Sequence, residues 1–238
     1  MEIFRKMSFA DSTGDAIPFY HEGKYHIFSL TSPPGTTVYP ERLRTTWSHS
    51  ISDDLVHWQE LPTALYPGEG DEPDASGVWT GSVIYGEGQY HAFYTGYCLT
   101  AEFQQTICHA TSDDGITWTK DIANPVITPM TELYEKLDWR DPYVFYNEED
   151  ENYWILISAR RLDMPVTRRG CIVLYRSKNL KDWTYYGPIY SPGHTNCPEC
   201  PEMYKMGGHW YLSYSRFSEF VNTIYRVSAV SYTHLRAH

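Results

Sequence analysis

Three stretches decide the fold: HSISDDLVHW at 49–58, HATSDDGITW at 109–118 and YRSKNLKDW at 175–183. Each reads as a strand, a polar turn carrying Asp or Asn, and a Trp. The closing residues Trp58, Trp118 and Trp183 lie 60 and 65 residues apart. A second element alternates with the first, an aromatic-rich strand pair whose arms meet at a Gly-containing or acidic turn. It occurs from Pro18 (PFYHEGKYHIFSL), from Ser82 (SVIYGEGQYHAFYTG), from Pro142 (PYVFYNEEDENYWILISA) and from Pro201 (PEMYKMGGHWYLSYS). Each unit thus holds two hairpins, with turn residues where hairpins want them. Four-stranded units returning at this interval predict a β-propeller, whose blades pack radially around a channel. A β-sandwich would not explain the regular return of both elements.

The repeat also predicts what is missing. Three complete units are followed by a fourth that starts at Pro201 and runs to about Val230. The expectation is therefore an all-β fragment of about three and a half blades, a single domain over residues 1–230. The last residues, 231–238 (SYTHLRAH), fit no part of the pattern and read as a non-native tail.

Composition narrows the function. The formal charge is −11 with no Lys/Arg block, which argues against nucleic acid as a partner. The 21 Tyr and 8 Trp favour strands and sugar-stacking surfaces over helix bundles, although most large rings end in a core. Five cysteines (Cys98, Cys108, Cys171, Cys197, Cys200) make an odd set without a disulfide framework, as expected of thiols in a reducing cytoplasm. The N-terminal text has no apolar run of signal-peptide length, and no membrane span is expected. Cys197 and Cys200 form a C-x-x-C, but there is no second pair and Pro follows each. A metal or redox site is not expected, and neither is a cofactor.

Three acids stand at one repeated place. Asp15, Asp141 and Glu199 each precede by four residues an apolar residue of the aromatic strand pair: Phe19, Phe145 and Met203. A lone acid is usually a solvated turn carboxylate; a repeat that returns three of them gathers them at one centre. Paired carboxylates flanking a glycosidic bond are what its hydrolysis requires. One must be ionised and the other protonated, so their surroundings must separate their pKa values. Glu199 lies in a cation-poor, Pro-flanked stretch between two cysteines, which suits the acid. Asp141 follows Arg140, which would keep it ionised. In the second unit Trp79 stands where the acid would be, with Ser82 beyond it. Trp79 could stack on a sugar ring or plug the channel, and Ser82 could donate to a hydroxyl. Trp47 and His49 could wall the same pocket or pack in the core.

The ordered set Trp139-Arg140-Asp141-Pro142, Glu199-Cys200-Pro201, SDDLVHW at 52–58 and GVWTGS at 77–82 resembles glycoside hydrolase family 32. That family comprises invertases, inulinases and levanases. The resemblance covers most of residues 14–215 and implies a five-bladed β-propeller followed by a β-sandwich. It implies Glu199 as general acid/base, Asp141 as transition-state stabiliser, Arg140 as a ligand of sugar hydroxyls and Asp15 as nucleophile. Where the family has W-M-N-D-P-N-G, this chain has Thr13-Gly14-Asp15-Ala16-Ile17-Pro18, which marks a divergent branch. The expected activity is retaining hydrolysis of β-fructofuranosides, sucrose or fructo-oligosaccharides. The alternatives are an inverting arabinofuranosidase- or xylosidase-type propeller and a non-catalytic carbohydrate-binding propeller.

Overall fold

The structure is a computed structural model and describes residues 12–36, 38–216 and 221–230. The tail at 231–238 lies outside the described residues. Four antiparallel sheets follow one another along the chain. The first holds β1 (Thr13–His21), β2 (Lys24–Thr31), β3 (Thr46–Ser52) and β4 (Trp58–Leu65). The second holds β5 (Gly77–Gly86), β6 (Gln89–Tyr97), β7 (Gln105–Ser112) and β8 (Thr119–Lys120). The third holds β9 (Tyr134–Asn147), β10 (Asn152–Arg161), β11 (Gly170–Ser177) and β12 (Thr184–Tyr190). The fourth has three strands, β13 (Glu199–Met206), β14 (His209–Arg216) and β15 (Asn222–Ser228). These are propeller blades, among the described residues three of four strands and one of three, and β1, β5, β9 and β13 are neighbours on the inside.

The polar turns that mark the repeat are local devices of the backbone. Asp54 Oδ1 accepts from the N–H groups of Val56 and His57 at 2.9 and 2.8 Å. Asp114 does the same for Ile116 and Thr117 at 2.8 and 2.7 Å, and Asn179 for Lys181 and Asp182 at 3.0 and 2.9 Å. A short oxygen-bearing side chain thereby closes each outer hairpin turn. The Trp after the turn then reaches back to the preceding blade. Trp118 meets Phe28 edge-on at 5.8 Å, and Trp183 meets Phe93 edge-on at 5.3 Å.

The core is three seams between blades. Ile17, Phe28, Trp47 and Leu65 pack on Val83, Tyr94 and Cys108 between the first and second blades. Phe93 and Ile107 pack on Trp139, Val144 and Ile155 between the second and third. Leu156, Ile172 and Leu174 pack on Met203, Leu212 and Tyr214 between the third and fourth. Burial of this kind stabilises by about 25 cal/mol per Å² of apolar surface, so each seam holds its two blades in fixed relation.

Every innermost strand carries a bulge, near its start in β1, β5 and β13 and midway in the longer β9. Register shifts fall between Thr13 and Ala16, between Val78 and Gly81, opposite Leu156/Ser158 in β9, and between Glu199 and Glu202. Bulges re-aim side chains and collect beside active sites. They also correct the equal-position reading of the three acids. Aligned on the bulges, Asp15, Asp141 and Glu199 occupy three adjacent ladder positions rather than one. The backbone shows the local cost: Asp141 and Cys200, both at bulges, have φ of 57° and 48°.

Candidate active site

The bulges bring residues from all four blades to one place. Asp15, Arg140, Asp141, Glu199 and Cys200 line a cavity of about 240 Å³ together with Leu30, Leu43, Thr45, Trp79 and Thr80. Asp15, Thr80, Asp141 and Cys200 also line a second cavity of about 370 Å³, which continues past Ser82, Tyr143 and Glu202. Asp15 and Asp141 therefore sit between a pocket and a channel, and Glu199 faces the pocket.

Arg140 ties the acids together. Its Nη2 donates to Glu199 Oε1 at 2.6 Å, its Nη1 donates to Asp138 Oδ1 at 2.6 Å, and its Nε lies 3.7 Å from Asp141 Oδ2. Gln105 Oε1 accepts from Nη1 at 3.2 Å. Burial works against the guanidinium charge, but Cys197, Asp141, Glu199 and Asp138 outweigh it and hold its pKa above the ordinary value. Glu199 is thus not in cation-poor surroundings. The strand register places a blade-three cation on it that its own sequence neighbours do not contain.

Asp141 is 6% exposed. Its Oδ2 accepts from Cys200 N–H at 3.0 Å, and its own N–H donates to Thr95 Oγ1 at 2.8 Å. Burial pushes the carboxyl up to about 6; Arg140 and the Cys200 N–H pull it down, while Glu199 and Asp15 push it up. The sequence reading, in which Arg140 fixes the charge of Asp141, is therefore corrected: desolvation outweighs the adjacent cation.

Asp15 Oδ2 accepts a short hydrogen bond from Thr80 Oγ1. The thiol of Cys200 lies between two acids, 3.8 Å from Asp15 Oδ2 and 3.9 Å from Asp141 Oδ2, and burial pushes its pKa up. Cys197 faces Arg140 Nη2 at 3.5 Å and is pushed up to about 12, chiefly by burial. The two cysteines serve different neighbours.

The remaining sequence candidates divide. Trp79 lines the pocket, its ring stacked on Tyr97 at 4.1 Å and its Nε1–H donated to Leu43 O at 3.0 Å. Ser82 lines the channel, but its Oγ donates to Pro142 O at 2.9 Å and accepts from Val144 N–H at 2.8 Å. Its hydrogen is engaged in the seam between the second and third blades, not offered to a sugar. Trp47 and His49 do not wall the pocket. Trp47 is fully buried in the first seam, with its Nε1–H on Trp79 O at 2.9 Å. His49 is fully buried too, stacked on Phe28 at 4.1 Å and 2.9 Å from His26 Nδ1. Burial and then His26 lower its pKa to about 3, so it is a neutral core histidine.

Sequence reasoning passed over Thr80, Thr95, Leu43 and Thr45. Thr80 was visible inside GVWTGS; the loop residues carried no signal, because the chain between β2 and β3 has no repeat partner.

Residues 15–236 match the Glycosyl hydrolases family 32 N-terminal domain. The chain belongs to glycosyl hydrolase family 32. Among its relatives, the levanase of Bacillus subtilis is 33% identical over 198 residues, covering 79% of this chain and 26% of the relative. The raffinose invertase of Escherichia coli is 32% identical over 202 residues, covering 81% of this chain and 39% of the relative. The family 32 chain therefore spans about a quarter to two fifths of the length of these relatives. The solved sucrose-6-phosphate hydrolase of Lactobacillus gasseri superposes with a TM-score of 0.70 at 27% identity, over 85% of this chain and 40% of that one. Fructan 1-exohydrolase IIa of Cichorium intybus shares the fold with a TM-score of 0.77 at 24% identity, over 94% of this chain and 43% of that one.

Proposed function

We propose that the protein is a retaining glycosidase that cleaves β-fructofuranosidic bonds in sucrose or fructo-oligosaccharides. The observation that carries this reading is the convergence of Asp15, Asp141 and Glu199 from three blades on one pocket, with Arg140 between two of them. Relatives named levanase and raffinose invertase support the substrate class.

Asp15 attacks the anomeric carbon while Glu199 protonates the leaving oxygen, giving a glycosyl-enzyme that water then hydrolyses with Glu199 as base. The hydroxyl of Thr80 orients Asp15 by donating to its Oδ2. Asp141, fixed by the Cys200 N–H, places an anion beside the developing oxocarbenium ion. Trp79, braced against Tyr97, offers a ring face to the sugar.

The test is release of free sugar from sucrose, inulin, levan and arabino-oligosaccharides by the full-length protein, with Asp15→Asn as control. Fructose released only with Asp15 intact, first appearing as the anomer of the substrate, supports the reading. Arabinose as product, an inverted first anomer, or silence from a folded protein overturns it.

A further inference from the structure

Residues 135–138 of β9 stand opposite a single residue of β10. Ala159 pairs with Trp139 and Arg161 with Tyr134, so Arg160 alone faces the stretch. Arg160 is 6% exposed, and every N–H of its guanidinium is engaged. Nε donates to Glu135 Oε2 at 2.7 Å and Nη2 to Glu135 Oε1 at 3.3 Å, a fork-on-fork pair. Nη2 also donates to Val166 O at 3.1 Å, while Nη1 donates to Asn196 Oδ1 and, at 3.4 Å, to Asn196 O. Arg169 Nη1 donates to the same Glu135 Oε1. Burial pushes the Glu135 carboxyl up, but the two arginines outweigh it and hold it below its ordinary value.

Arg160 lines neither carboxylate cavity, yet it reaches Glu199 by two routes. The first is electrostatic. Arg160 Nε lies 3.4 Å from Asp138 Oδ2, Asp138 Oδ1 accepts from Arg140 Nη1 at 2.6 Å, and Arg140 Nη2 donates to Glu199 Oε1 at 2.6 Å. Asp138 thus divides its two oxygens between two guanidiniums. Without Arg160 both oxygens are free for Arg140, whose planar fork would turn to a two-point pair and draw Nη2 from Glu199. The second route runs along the chain. Asn196, clamped at its side chain and its carbonyl, stands three residues before Glu199. A buried side chain that fixes both the cation on an acid and the chain carrying that acid sets where the acid points.

We propose that Arg160 is a positioning residue for proton transfer, holding Glu199 and its Arg140 partner in the orientation that protonates the leaving oxygen. This rests on the reading of Glu199 as general acid. Lysine is no substitute, because an ammonium has three donors and no planar fork to serve Glu135, Val166 and Asn196 together.

The experiment compares two substrates of the full-length protein, sucrose and an aryl β-fructofuranoside whose phenolate leaves without a proton. The ratio kcat/KM reports the first bond cleavage, a step in which only sucrose needs the acid. Arg160→Met should lower kcat/KM roughly 10²-fold on sucrose, the scale of a misplaced catalytic group, and less than about threefold on the aryl fructoside. Arg160→Lys keeps the charge, should show the same split in weaker form, and stands in should Arg160→Met fail to fold. Equal loss on both substrates in a folded variant, or no loss, reduces Arg160 to a structural residue and overturns its positioning role. Glu199→Gln is the reference. An equal loss on both substrates there overturns the acid/base reading itself, and the role of Arg160 with it.

Discussion

Asp141→Asn in the full-length protein separates what the buried acid does for the reaction from what it does to the fold. The folded carboxyl titrates at about 6, against 3.8 for an ordinary Asp, with burial as the leading cause. The folded state therefore holds its proton more tightly than the unfolded state. Its contribution to stability is fully present below the unfolded pKa of 3.8 and is lost as pH rises through 6. A gap of roughly two pKa units corresponds to about 3 kcal/mol of strain at neutral pH. Asn has the same shape, carries no charge and keeps an oxygen for the Cys200 N–H. That gap already contains the attraction of Arg140 for Asp141, so the expected net stabilisation is about 3 kcal/mol. Urea denaturation at about pH 8 and about pH 4 should show the variant more stable at the higher pH and the difference gone at the lower. The buried histidines titrate alike in both proteins and cancel. Sugar release should fall by roughly 10²–10³-fold, the scale of losing a preorganised charge. A variant less stable than wild type at about pH 8, or a difference that does not change with pH, refutes the reasoning.

Other substitutions test separate parts of the argument. Arg140→Met strands Asp138, Asp141 and Glu199 without their common cation, and should cost about 3–5 kcal/mol in thermal or urea unfolding. Ser82→Ala removes an acceptor from Val144 N–H and a donor from Pro142 O, and should lower stability by about 1–3 kcal/mol by the same assays. Asp114→Ala opens one outer turn and should cost about 1 kcal/mol, because two backbone N–H groups revert to water. His91, buried and next to His109, titrates at about 4 in the fold, chiefly through burial, against the ordinary 6.5. Its contribution is present above pH 6.5 and lost as pH falls towards 4, so His91→Phe should flatten the acid slope of stability by one proton's worth.

The blades were legible because their markers are local. Asp54, Asp114 and Asn179 close turns within three residues of themselves, and Trp118 and Trp183 follow at once. The acids were legible because each stands just before an aromatic strand pair. What the sequence does not display is anything carried across blades. The ion pair between Arg140 and Glu199 joins residues 59 apart, and the hydrogen bond between Thr80 and Asp15 joins residues 65 apart. Trp47 and His49 show the converse error. Both are residue types found in sugar sites, yet the alternation of β3 puts them in the seam, where Trp47 braces Trp79 through a single hydrogen bond.

The bulges that carry the acids have a consequence for how such a gene can drift. One residue inserted between Pro18 and His21 would slip β1 against β2 and turn Asp15 to the opposite face, since every strand step reverses direction. The same insertion at the Glu22-Gly23 or Gly207-Gly208 turn would only lengthen a tip. Length variation among descendants should therefore collect in the hairpin tips and in the chain between β2 and β3. The count of residues from each tip to its acid should stay fixed even where the identities of those residues do not.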